Sequence, residues 1–110
     1  MATHYEQILE NVRSKLLLMG QLSIDSLRLS LQALLAKDSE LASKVRAKDK
    51  EIDTLENELI NDVNVCLSTH APVAGDLRLL VTTMKISHEI ERVGDEAKTI
   101  ARRSKKTAVN

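Results

Sequence analysis

Residues 72–103 read PVAGDLRLLVTTMKISHEIERVGDEAKTIARR, and the spacing inside this stretch decides the fold. No proline follows Pro72, and Leu79, Ile86, Ile90, Val93, Ala97 and Ile100 recur every three or four positions, the helical period. These six are expected to form the core-facing stripe of one helix. At about 100° per residue, Glu91 and Asp95 fall on nearly the opposite side, one turn apart, so both carboxylates are expected to point outward in parallel. Taken alone the pair is unfavourable: like charges at i and i+4 repel by roughly 0.2–0.5 kcal/mol, and Gly94 between them costs up to about 1 kcal/mol relative to alanine. A bound cation would relieve the repulsion, and a glycine would admit a bulky ligand or another helix. The same letters also describe an exposed, ion-paired helix face, with Lys98 in reach of Asp95 and Arg92 in reach of Glu96.

A second acidic pair stands upstream. Asp49 and Asp53 repeat the i, i+4 spacing in the preceding helical segment, and Glu56 extends that face to three carboxylates. Arg46 and Lys50 offer local neutralisation. Two such pairs on neighbouring helices can instead pool their oxygens toward the six or so that a hard cation takes.

Working outward, the chain divides into three helical segments. From about residue 3 to residue 36, Tyr5, Leu9, Val12, Leu16, Met19, Leu27 and Leu34 form an expected core stripe. Lys37-Asp38-Ser39-Glu40 breaks it, with Asp38 or Ser39 suited to cap the next helix and Glu40 placed well against its dipole. That helix runs to about residue 69, with Leu41, Val45, Ile52, Leu55, Leu59, Val63 and Cys66 inward and the three acids along the stripe's edge. Pro72 ends the second break and opens a third helix to about residue 105. Short links make successive helices antiparallel neighbours. The reading is all-α: one domain over residues 1–110, an antiparallel three-helix bundle, up-down-up and spectrin-repeat-like. Leu18, Leu22 and Leu29 lie off the first stripe, a surplus that asks for a partner; a homodimer, most simply two-fold, would complete a six-helix body.

Composition narrows the function. The 110 residues carry 16 basic and 16 acidic side chains, so no global field steers the chain toward nucleic acid or an anionic membrane. Tyr5 is the only aromatic residue, which removes the stacking platforms of single-strand binders. Cys66 is the only cysteine, so an internal disulfide is excluded. The first residues lack a signal-peptide pattern, and the longest apolar run, Leu16 to Met19, cannot cross a bilayer. A cytoplasmic protein that meets membranes only through partners is expected. No glycine-rich phosphate loop, Cys-x-x-Cys or activated serine appears. His88, one turn before Glu91, can add a nitrogen ligand; His4 and His70 sit near segment ends. A carboxylate-bridged metal enzyme, or a histidine-phosphotransfer bundle using His88 or His70, are the other classes compatible with these residues.

The stretch Pro72-Val73-Ala74-Gly75-Asp76-Leu77-Arg78, then Ile90-Glu91-Arg92-Val93-Gly94-Asp95 and Ile100-Ala101, resembles the signature helix of PhoU-type proteins. Asp49-Lys50-Glu51-Ile52-Asp53-Thr54-Leu55-Glu56 resembles the matching part of their second helix. The resemblance implies a three-helix module and a cytoplasmic, non-enzymatic regulator of phosphate uptake. It further implies contact with the ATPase subunit of a phosphate ABC transporter and with a membrane sensor histidine kinase. In that family Asp/Glu-x-x-x-Asp motifs bind iron or zinc, which carries a metal role onto Asp49, Asp53, Glu91 and Asp95; Glu56 is added from geometry. Family members usually hold two such repeats in one chain, and here there is one.

Overall fold

The computed structural model describes residues 3–109. Three helices follow in order: α1, His4–Ala36; α2, Ser39–Thr69; α3, Ala74–Val109. They pack as an antiparallel up-down-up bundle, a rod of 57 × 24 × 16 Å, and every pair of helices is in contact. Among the described residues there is no strand.

The ends are set by local chemistry. The Thr3 hydroxyl accepts from the Glu6 amide at 3.1 Å. Asp38, one of the two expected caps, accepts from the amides of Glu40 at 2.9 Å and Leu41 at 3.4 Å and so starts α2. Lys37 closes α1 in the left-handed region at φ 54°, where its amide and that of Asp38 bond back to the Ala33 carbonyl. The α3 helix begins two residues later than the expected Pro72 start, with the Val73 carbonyl accepting from the Leu77 amide at 2.9 Å.

The core follows a seven-residue repeat. On α1 the inward positions are Tyr5, Val12, Met19, Ser26 and Ala33, alternating with Leu9, Leu16, Ser23 and Ser30; on α2 they are Val45, Ile52, Leu59 and Cys66, alternating with Ala42, Asp49, Glu56 and Val63. On α3 they are Leu80, Ser87, Gly94 and Ala101, alternating with Thr83, Ile90, Ala97 and Ser104. A repeat of 3.5 rather than 3.6 keeps each seam facing its neighbours along the whole rod.

This register corrects two expected stripes. Leu79, Ile86 and Val93 are exposed on α3 and Ile100 is half-buried; Leu27 and Leu34 are exposed on α1. Only Ile90 and Ala97 of the α3 set face the core. The true core line of α3 lies roughly a quarter turn away, on small residues that periodicity of large apolar side chains does not reveal. Leu22 and Leu29 are also corrected: they pack half-buried against the core on the side of α1 that meets α2, and of that trio Leu18 alone stays exposed.

The buried apolar residues form two clusters. One gathers Ile8, Val12, Met19, Ile52, Leu59, Val63, Cys66 and Leu80; the other is small-residue packing by Ala33, Ala42, Val45, Ala97 and Ala101. Between them Ser23, Ser26, Asp49 and Gly94 make a polar belt. Gly94 is needed there: a Cβ on it would lie 3.3 Å from the Ile52 methyl and 3.5 Å from Asp49 Oδ1. Gly94→Leu should therefore lower stability by roughly 1–3 kcal/mol through overpacking, whereas Lys37→Gly, which relieves the left-handed cap, should raise it by up to about 1 kcal/mol. Urea denaturation of both variants reads the two signs.

Candidate functional site

The five candidate acids meet along one side of the bundle, where α2 faces α3. Asp49 is 3% exposed and lies inside the core register, not at its edge as expected. Its Oδ2 receives Lys98 Nζ from α3 at 3.3 Å, and its Oδ1 is buried without a hydrogen-bond partner. Glu56 holds the next core-register position on α2; its Oε2 is likewise buried without a hydrogen bond, with His88 Nδ1 at 3.6 Å. Asp53 and Asp95 are exposed, and Glu91 is half-buried. The α3 pair therefore does not stand opposite the core: Glu91 and Asp95 flank buried Gly94 on the side that approaches α2.

Lost hydration, and after it mutual repulsion, shows in the proton affinities. Partial loss of water raises Asp53 above the usual carboxylate range, and Asp49 and Asp95 add to the rise while Lys98 opposes it. Glu91 is raised by desolvation first, then by Asp95, Glu56 and Asp53, with His88 opposing. Charges on both helices thus sense each other across the seam. The local neutralisation offered by sequence is not what forms: Lys98 crosses to Asp49 rather than pairing with Asp95, and Arg92 takes Glu89 at 3.4 Å rather than Glu96. Among the described residues Arg46 and Lys50 make no ion pair with Asp49 or Asp53.

The donor chemistry suits a hard cation: carboxylate oxygens, two of them buried and without a hydrogen-bond partner, with Lys98 and the His88 ring the basic groups paired to them among the described residues. The acids form an open seam and not a closed cage. Among the described residues, no three His, Cys, Asp or Glu side chains are gathered so that they hold one ion as they stand. Asp53 and Asp95, being exposed, have the freedom to turn toward the buried oxygens of Asp49 and Glu56.

The other histidines lie elsewhere. His70 closes α2, with its ring centroid 5.2 Å from that of Tyr5 and 5.7 Å from that of His4. Beside it the Tyr5 hydroxyl donates to Asp76 Oδ2 at 2.5 Å, and that bond pushes the phenol up to about 12. This tie fastens the start of α1 to the start of α3. Sequence reading did not find it, because Tyr5 and Asp76 are 71 residues apart.

Residues 16–104 match the model of the PhoU domain, and thus nearly the whole bundle. The chain belongs to the PhoU family. It is 40% identical over 99 residues to the phosphate-specific transport system accessory protein PhoU homolog of Zymomonas mobilis, a match covering 90% of this chain and 42% of that one. With the PhoU homolog of Pseudomonas putida it shares 41% over 96 residues, 87% of this chain and 38% of the other. The crystal structure of PhoU from Pseudomonas aeruginosa superposes with a TM-score of 0.91 at 36% identity, over 96% of this chain and 50% of that one. This PhoU-family chain therefore spans half or less of the relatives it matches.

Burial makes the Asp49–Lys98 pair matter more than the surface ion pairs. Lys98→Met strands a buried carboxylate and should cost about 1–3 kcal/mol; adding Asp49→Asn should recover most of that loss in the same urea titration. Asp53 and Glu91 bind their protons more tightly folded than unfolded. Their contribution therefore weakens as pH rises through the raised values, and in chelator-treated protein at neutral pH Asp53→Asn or Glu91→Gln should raise stability by a few tenths of a kcal/mol.

Proposed function

We propose that this chain is a cytoplasmic, non-enzymatic accessory protein of phosphate uptake that works by protein-protein contact. The observation that carries the reading is the family match over residues 16–104, joined to relatives near 40% identity that are named as accessory proteins of the phosphate-specific transport system. Its partners are the ATPase subunit of the phosphate transporter and a sensor histidine kinase, with a second copy of itself completing a six-helix body. Among the described residues no helix is long and apolar enough to cross a membrane.

Asp49, Asp53, Glu91 and Asp95, with Glu56 beside them, would hold a metal ion, iron or zinc, at the α2–α3 seam. Bound there, the ion supplies positive charge where five carboxylates repel. On this reading Asp49 and Glu56 anchor from the buried side, and Asp53, Glu91 and Asp95 close from the surface. Lys98 supplies partial neutralisation when the ion is absent. The acidic seam thereby becomes a surface whose charge and rigidity depend on occupancy, which suits signalling to a partner.

Deleting the coding sequence from its host should switch on phosphate-starvation genes in phosphate-rich medium; unchanged expression would contradict the regulatory role. For the metal, elemental analysis of untagged protein should find iron or zinc in the wild type and little in Asp53→Asn/Asp95→Asn. Equal content in both, or none in either, would leave the seam as a plain ion-paired surface.

A further inference from the structure

The large apolar residues that miss the core are not scattered. Leu17, Ile24 and Leu31 on α1 stand seven residues apart and are 64%, 61% and 45% exposed; Leu79, Ile86 and Val93 on α3 repeat the same interval at 55%, 43% and 39%. Single exposed leucines are ordinary, but two parallel rows in register on adjacent helices are a contiguous patch. Between the rows lies a groove of about 630 Å³, bordered by Ile24, Ile86 and Val93 and opened by Gly20, where a Cβ would sit 3.8 Å from the Ile90 methyl. Seven-residue spacing on both walls is the pattern that receives knobs from another helix.

We propose that this outer α1–α3 seam is the surface on which a second copy of the chain docks, in two-fold fashion, each copy laying its own Leu17, Ile24 and Leu31 row along the other's groove. The proposal rests on the self-association stated above and gives it a place. The face is complementary to itself: it carries ridges and a groove at the same spacing, as an isologous contact requires. Its rim holds both signs, Lys85 and Glu89 beside the groove and the Arg28–Asp25 pair on α1, and the formal net charge is zero, so like copies do not repel. A strongly basic or acidic partner finds no matching field there. In the solved PhoU chain, one unit of this size accounts for 50% of the length, so there too it is accompanied by as much chain again.

Sedimentation velocity over a concentration series tests the assignment with wild type, Ile24→Glu/Ile86→Glu, and Leu67→Ser, an exposed leucine on α2 away from the seam. The expected result is a dimer for wild type and Leu67→Ser, and a monomer with unchanged helix content for the double variant, its association weakened at least tenfold. Should the glutamates cost the fold, Ile24→Ser/Ile86→Ser is read in the same way. A double variant that dimerises as tightly as wild type overturns this face while leaving self-association standing. A wild type that stays monomeric throughout overturns both.

Discussion

A carboxylate held at a core position organises this bundle. Asp49 takes an inward place on the seven-residue line that also carries Ala42, half-buried Glu56 and Val63, and a buried charge is tolerated only with a partner. Lys98 provides one, reaching across from α3 to a single oxygen. The approach needs α2 and α3 close together, and Gly94 supplies the room: its missing Cβ leaves space for Ile52 and for the second Asp49 oxygen. The apolar core divides around this belt, with large side chains on one side and alanine packing on the other.

The third helix accordingly has three working faces. Its inward line of small residues sets the distance to the other helices. On the flank toward α2 stand Glu91, raised first by lost water and then by Asp95 and the acids of α2, and Asp95 itself; on the flank toward α1 stand Leu79, Ile86 and Val93. One flank is acidic and the other apolar. Both flanks are borne on one rod packed against the same belt, so the ion we propose on the acidic side would stiffen the element that also presents the apolar side, a physical route from occupancy to contact.

Sequence made the three helices and their breaks legible, since Asp38 and the segment before Pro72 carry strong local chemistry. The acids of its two i, i+4 pairs also lie along one seam, where Asp53 feels Asp49 and Asp95 and Glu91 feels Asp95 and Asp53. The core was less visible. Ser23, Ser26, Ser30, Ser87 and Gly94 are inward residues that no scan for large apolar side chains selects, so Ile86 and Val93 were assigned to an interior that they flank. Asp49 was hidden for the related reason that an acid in core register looks like an acid at the stripe's edge. The Tyr5–Asp76 tie depends on the tertiary approach of distant segments, which spacing alone does not encode.

We propose that carboxylates of α2 and α3 grip one shared cation. Anomalous diffraction from crystals of the metal-loaded protein, collected at the absorption edge of the bound element, tests it most directly. A peak in the α2–α3 seam, within coordination distance of Asp53 and Asp95 together, is the predicted result. A peak held by residues of a single helix, or away from the seam, would contradict it.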